Sequence, residues 1–126
     1  MRLLGIDYGS KRVGIALSNE DGTMAFPREV ILNDGKLLAA LETIITKEKV
    51  GEIVIGHSLN TKGQENKIHA AVEGLMMDLT LSVGLPIHLV PEQYTTQLAL
   101  RTQGRTELTD ASAAALILNT FIEQQR

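Results

Sequence analysis

Hydrophobic residues open the chain in two short runs that a polar turn separates. Residues 3–6 are an unbroken run of apolar residues and glycine, which is typical of a strand buried on both faces. Asp7 follows this run, and residues 13–17 form a second apolar run. Gly9 and Ser10 favour a turn between the runs, because glycine tolerates a positive φ and serine is common in turns. The pattern therefore predicts a hairpin with a carboxylate at the end of its first strand.

A third extended segment and a helix follow the hairpin. Residues 24–32 read as a strand, and Pro27 within them indicates a sheet edge, because proline cannot donate a hydrogen bond to a ladder. Residues 33–35 offer an N-cap, and Gly51 is expected to close the helix that begins there. Its apolar stripe has helical spacing and consists of Leu37, Leu38, Leu41, Ile44 and Ile45.

The second half of the chain alternates strands and helices. The expected order is a strand over 52–56, a polar loop over 57–63, a helix over 65–83, and a strand over 87–90. Thr95 or Thr96 opens a short helix ending at Gly104, and Thr109 or Asp110 opens the last helix. On the helix over 65–83, Met76 and Met77 are interpreted as core filling.

This order of elements predicts an α/β fold. It corresponds to a mixed five-stranded sheet flanked by helices, in which the first three strands are antiparallel and the later strands are parallel. We see no internal repeat, linker or low-complexity segment in the sequence, so residues 1–126 are expected to form a single domain.

Composition narrows the possible functions. Hydrophobic residues make up 44% of the 126 residues and charged residues 21%, as in a globular protein. There is no cysteine, which excludes disulfides and thiolate metal sites, and no apolar run approaches the ~20 residues needed to cross a bilayer. The opening residues lack a signal-peptide layout, so we expect a cytoplasmic location and no membrane partner.

The net charge of −3 is not that of a protein that binds nucleic acid with its whole surface. Nucleic-acid binding would therefore need a local basic patch or bridging metal ions. The candidates for such a patch are Lys11, Arg12, Lys62, Lys67, Arg101 and Arg105. The alternative is that these residues are ordinary solvated charges.

Three carboxylates carry the candidate chemistry. Asp7 ends the first strand and Glu92 lies just past the fifth, and functional groups in open α/β sheets gather beyond the carboxyl ends of the strands. With ~100° per residue, Asp110 falls within the apolar stripe of the last helix, where an inward-pointing acid needs a partner. The stripe consists of Ala114, Ile117, Leu118 and Phe121.

A shared divalent cation would be such a partner. Carboxylate oxygens select hard cations, Mg²⁺ or Mn²⁺, and two such ions can activate a water and stabilise the leaving oxygen in phosphodiester hydrolysis. The alternatives are that Asp7 only opens a turn and that Asp110 only interacts with the helix dipole.

Four segments, taken together and in order, resemble the YqgF/RuvX family. They are residues 4–16, the loop Ile55-Gly56…Leu59-Asn60…Gly63, Glu92…Thr95-Thr96, and residues 110–118. The resemblance implies an RNase H-like fold related to Holliday junction resolvases, and an assignment as nucleases of pre-16S rRNA. By position, it also implies that Asp7, Glu92 and Asp110 bind the metal.

From the same resemblance, we expect a nucleic-acid partner, with precursor ribosomal RNA favoured over junction DNA. Phosphate contacts or the rim of the site would come from Lys11, Arg12, Asn60 and Lys62. Junction cleavage needs two paired active sites and hence a homodimer, and the sequence leaves monomer and homodimer open.

The chain departs from the family pattern in its residues at two places, and it is also somewhat short between Thr96 and Asp110. His57-Ser58 replaces the usual Leu-Pro in one loop, and Pro91 and Gln93 flank Glu92 where the family usually has an acid and a base. His57 is interpreted as either a general base, a substrate contact or an ordinary loop histidine. Pro91 and Gln93 favour a further hypothesis, a non-catalytic RNase H-like scaffold. The opening motif alone also resembles the phosphate loop of actin and sugar-kinase ATPases, but those proteins need two domains and 126 residues supply one.

Overall fold

The computed structural model describes residues 1–57, 64–91 and 107–124, and the side chains within them except those of residues 57, 64–69, 91 and 107–110. Its elements are β1 (Arg2–Tyr8), β2 (Arg12–Ser18), β3 (Ala25–Leu32), α1 (Leu37–Glu48), β4 (Val50–His57), α2 (Gln64–Ser82), β5 (Ile87–Pro91) and α3 (Glu107–Gln124). The strands form one sheet in the order β3-β2-β1-β4-β5. Strands β1, β2 and β3 pair antiparallel, whereas β4 and β5 run parallel to β1. The predicted α/β architecture with a mixed sheet is confirmed.

Each face of the sheet carries its own apolar core. Helices α1 and α2 cover one face, where residues such as Ile6 of β1 and Leu41 of α1 are fully buried. Helix α3 covers the other face, where Ala114 and Leu118 are fully buried. A strand covered on both faces has no solvent-facing side, which explains why β1 is apolar without alternation.

The edge position predicted for the third strand is confirmed. Strand β3 is at one end of the sheet, and Pro27 pairs with Ala16 next to a register shift at which Arg28 of β3 has no paired residue in β2. An irregularity at this point accommodates the missing N–H of proline.

The predicted N-cap of α1 is wrong. The cap residue is Lys36, and no side chain caps the helix. Asp34 instead accepts a hydrogen bond from the Lys36 N–H through its Oδ1 at 2.9 Å, and its carbonyl accepts one from Leu37 N at 3.1 Å. The side chain of Asn33 is directed elsewhere, to the β1–β2 turn.

The predicted end of α1 is also wrong. The chain leaves the helix at Lys49, which takes the left-handed conformation at φ 55°. Gly51 belongs to β4, where a side chain would collide with Met1. Gly51 therefore does not end the helix, and its position in β4 brings it against the exposed Met1 side chain.

Helix α2 stops near the predicted position. Gly84, at φ +66°, donates its N–H to the carbonyls of Leu79 and Thr80, which is a common way for a helix to end. Met76 packs against the core as predicted, but Met77 is 65% exposed, so its interpretation as core filling is wrong.

The short helix predicted from Thr95 or Thr96 lies outside the described residues. Within the described ranges, no helix is both long and apolar enough to cross a membrane.

Candidate active site

Asp7 lies on the face of the sheet that α3 covers. Side chains alternate along a strand, and Leu3 belongs to the core beneath α3. A Cβ added to Gly5 would lie 3.0 Å from both the Ala114 carbonyl oxygen and the Leu118 Cβ, so Gly5 also faces α3. Asp7, two residues further, therefore projects to the same face, near the carboxyl end of β1, and it is half-buried.

Asp7 has a glycine as its partner on each neighbouring strand. It pairs with Gly14 of β2 on one side and with Gly56 of β4 on the other. Both glycines lie on the α3 face, because Ala16 and Val54, each two residues away in its strand, belong to the core there. The residues at the paired positions of both adjacent strands therefore have no side chain beyond Cα.

Helix α3 runs antiparallel to β1, so that its first turn lies at the carboxyl end of the strand. Leu3, at the start of β1, lines a cavity together with Phe121 near the end of the helix. Two residues later along the strand, the contact is with Ala114, about two turns earlier in the helix. As β1 runs toward its end, the helix residues facing it come from earlier in α3, so the first turn of α3 lies toward the carboxyl end of β1.

Position 110 belongs to the first turn of α3, at the end of the helix that is directed toward the carboxyl end of β1. Asp110 is the fourth residue of α3, and Ala111 beside it is buried. The side chain of Asp110 lies outside the described part of the structure. Its role as a metal ligand stays a prediction.

The β1–β2 turn brings two cationic residues close to the end of β1 that carries Asp7. Lys11 belongs to this three-residue turn and Arg12 begins β2, and both are exposed. A Cβ on Gly9 would lie 2.5 Å from the Arg12 carbonyl oxygen. The turn needs glycine for this close approach, whereas the positive φ that the sequence suggested is not found at Gly9.

The remaining candidate residues are in segments that the structure does not describe. Glu92 follows directly on β5, while Asn60 and Lys62 belong to the segment between β4 and α2. Among the side chains that are described, no three acids, histidines or cysteines come together as a metal site. Of the three predicted acids, only the Asp7 side chain is among them.

A cavity among the described residues is at the opposite end of the sheet. It has a volume of about 320 Å³, and its wall includes Leu3, Phe121, Asp21 and Glu52. Nearby, Glu52 is 3.0 Å from the His88 Nε2, and the His88 ring lies 4.7 Å from that of Phe121. This cavity is therefore separate from the candidate active site around Asp7.

Sequence reasoning missed two features of this site. Gly14 and Gly56 flank Asp7 because of the strand register. The signal that could have identified them is that one glycine lies within an apolar run and the other directly follows one. Asn33, interpreted as part of a helix cap, instead donates its side-chain amide to the Gly9 carbonyl.

The fold places this chain in a known structural class. It superposes on Thermus thermophilus RuvC, solved in complex with a Holliday junction substrate, with a TM-score of 0.67 over 99% of this chain and 96% of that chain. The identity is only 15%, so the comparison concerns the fold alone. The fold is the RNase H-like fold of RuvC-type resolvases, as predicted.

Sequence comparison identifies the family. The model of the RuvX family, described as Holliday junction resolvase, matches residues 1–124, and the chain belongs to this family. A protein from Maridesulfovibrio salexigens is 36% identical over 132 residues, covering 97% of this chain and 98% of its own length. A protein from Rickettsia bellii is 35% identical over 130 residues, covering 95% and 84%. Both carry the name "Putative pre-16S rRNA nuclease".

Proposed function

We propose that this protein is a metal-dependent nuclease that hydrolyses phosphodiester bonds during maturation of the 5′ end of pre-16S rRNA. The observation that carries the proposal is the half-buried carboxylate of Asp7 at the carboxyl end of β1, with glycine on both neighbouring strands. Membership of the RuvX family supports a nuclease, and the names of the full-length relatives support pre-16S rRNA as the substrate.

Asp7, Glu92 and Asp110 would hold Mg²⁺ or Mn²⁺. Their donors are all carboxylate oxygens, which suit these hard cations, and the residues paired with Asp7 on both adjacent strands are glycines. Bound there, the metal would supply activation of a water and stabilisation of the leaving oxygen.

The chain's own cationic groups would bind the substrate backbone. Lys11 and Arg12 are exposed at the same end of the sheet as Asp7, and the positive end of the α3 dipole lies on the same face. Asn60 and Lys62 would complete the rim. Because the net charge is −3, we expect nucleic acid to bind at this edge and not over the whole surface. A cytoplasmic location and a single domain are part of the proposal.

The test is cleavage by the purified chain with Mn²⁺ of an RNA that carries the 5′ precursor segment of 16S rRNA. Asp7→Asn keeps the size of the side chain and removes its charge, and we expect it to abolish cleavage while binding of the RNA persists. Asp21→Asn, an exposed aspartate at the other end of the sheet, is the matched control and should cleave as the wild type does. Equal cleavage by the wild type and Asp7→Asn would refute the assigned role of Asp7.

A second candidate function is resolution of Holliday junctions, which the description of the family favours. It predicts paired symmetric cuts in a four-way DNA junction, and because two active sites must act together it also predicts a homodimer. Sedimentation equilibrium and junction cleavage under the same conditions test both points. Binding of either nucleic acid without cleavage would instead favour the non-catalytic scaffold, which the Pro91 and Gln93 departures suggest.

A further inference from the structure

We propose that Asn33 is a positioning residue for substrate binding. It holds the β1–β2 turn at both ends and so determines where Lys11 and Arg12 stand relative to Asp7. This inference rests on the proposed function, since it concerns phosphate contacts at the same edge of the sheet.

Asn33 makes two hydrogen bonds to the turn. Its side-chain Nδ2 donates to the Gly9 carbonyl oxygen at 2.8 Å, and its backbone N–H donates to the Lys11 carbonyl oxygen at 2.9 Å. Asn33 is half-buried between the end of β3 and the start of α1. One residue from outside the hairpin therefore binds the first and the last residue of a three-residue turn.

These bonds also orient the carbonyl dipoles of the turn. A carbonyl oxygen facing an incoming phosphate would repel it, whereas the two carbonyl oxygens bound by Asn33 are already engaged. The backbone at Gly9 also lies close to the Arg12 carbonyl oxygen, since a Cβ added to Gly9 would be 2.5 Å from it. Loss of the Asn33 amide would free the Gly9 carbonyl and loosen the support of Lys11 and Arg12, while Asp7, within the sheet, would stay in place.

The chain contains a matched control in Asn19. Its Oδ1 accepts hydrogen bonds from the N–H groups of Thr23 at 2.9 Å and Met24 at 3.3 Å, and its Nδ2 donates to the Thr23 Oγ1 at 2.9 Å. Asn19 is also half-buried and holds a hairpin turn. That turn joins β2 to β3 and lies at the opposite end of the sheet, beside the start of β1.

The experiment measures KM and kcat for Mn²⁺-dependent cleavage of the 5′ precursor RNA at a temperature at which thermal unfolding shows every variant to be folded. We expect Asn33→Ala to raise KM about 3- to 10-fold, as the loss of one hydrogen bond allows, with kcat unchanged. Asn19→Ala should leave both constants at their wild-type values. Asn33→Asp removes the donor but keeps the shape, and it should raise KM at least as much as Asn33→Ala.

A double-mutant cycle tests whether Asn33 acts through the cationic turn. In the Lys11→Ala background, Asn33→Ala should have a smaller effect on KM than in the wild type, because coupled residues are not additive. The dependence of RNA affinity on salt is a second measure. Asn33→Ala and Lys11→Ala should each reduce the slope of log affinity against log salt concentration, by up to ~0.7 for each phosphate that the protein no longer neutralises.

Several outcomes would overturn the inference. It would be refuted if Asn33→Ala and Asn19→Ala both had the wild-type KM, or if Asn33→Asp had it. It would also be refuted if the effects of Asn33→Ala and Lys11→Ala on KM were fully additive. If Asp7→Asn still abolishes cleavage under the same conditions, any of these outcomes would refute only the role of Asn33 and not the proposed function. Absence of both RNA binding and cleavage in the wild type would overturn the proposed function together with this inference.

Discussion

Replacing Gly5 by alanine tests how closely α3 packs on the sheet. The added Cβ would lie 3.0 Å from the Ala114 carbonyl oxygen and 3.0 Å from the Leu118 Cβ. Carbon atoms prefer separations of ~3.5–4.0 Å, and neither neighbour can rotate away, because one is a backbone atom and the other is bonded directly to the backbone. The whole helix must therefore move outward by a few tenths of an ångström.

The expected loss in the free energy of unfolding is about 1–3 kcal/mol, as is usual when an extra methyl group enters a packed core. For a chain of this size, each kcal/mol corresponds to about 4 °C in Tm, so Tm should fall by about 4–12 °C. Since the first turn of α3 contains Asp110, displacement of the helix should also reduce kcat in the cleavage assay.

Urea unfolding followed by circular dichroism measures the change, and Gly74→Ala is the matched control. Gly74 lies within α2, and an added Cβ there would meet nothing within 4 Å. Alanine should therefore stabilise that helix by about 0.5–1 kcal/mol. An unfolding free energy of Gly5→Ala within about 0.5 kcal/mol of the wild type would show that the described fit of α3 is wrong.

Three further predictions concern other parts of the molecule. Ser18→Ala removes the hydroxyl that accepts the buried Leu3 N–H at 2.7 Å, and should lower the free energy of unfolding by about 1–3 kcal/mol, which urea titration would detect. Glu48→Gln weakens the ion pairs of the Glu48 carboxylate with Arg2 at 3.2 Å and with Arg28 at 2.9 Å. Because these groups are partly exposed, the free energy of unfolding should fall by at most ~1 kcal/mol, and by less in ~1 M salt. Adding Mn²⁺ to the metal-free protein should raise Tm through mass action in the wild type but much less in Asp7→Asn, and equal rises would contradict metal binding at Asp7.

Much of the fold could be predicted from local patterns. The opening hairpin, the edge strand marked by Pro27 and the apolar stripe of the last helix all follow from periodicities within a few residues. The family resemblance was likewise correct, because its motifs are spread in order over nearly the whole chain.

The errors at the ends of α1 have a different cause. The cap at its start was mispredicted because the Asn33 side chain binds Gly9, 24 residues earlier in the sequence. At its other end, the chain leaves the helix at Lys49 in the left-handed conformation, two residues before Gly51, which the sequence had suggested as the end of the helix. In the same way, the exposure of Met77 depends on which side of α2 faces the sheet, and its apolar character alone did not decide this.

For the candidate site, the choice of the three acids remains a prediction from the sequence alone, with Asp7 at the end of a buried run, Glu92 past a later strand and Asp110 in an apolar stripe. The tertiary structure decided what surrounds Asp7. Strand register puts Gly14 and Gly56 on either side of it, and the antiparallel course of α3 brings the turn containing position 110 to the same face. Side-chain periodicity is encoded within each element, whereas register and helix direction depend on contacts between residues far apart in the chain, and only the folded structure fixes those contacts.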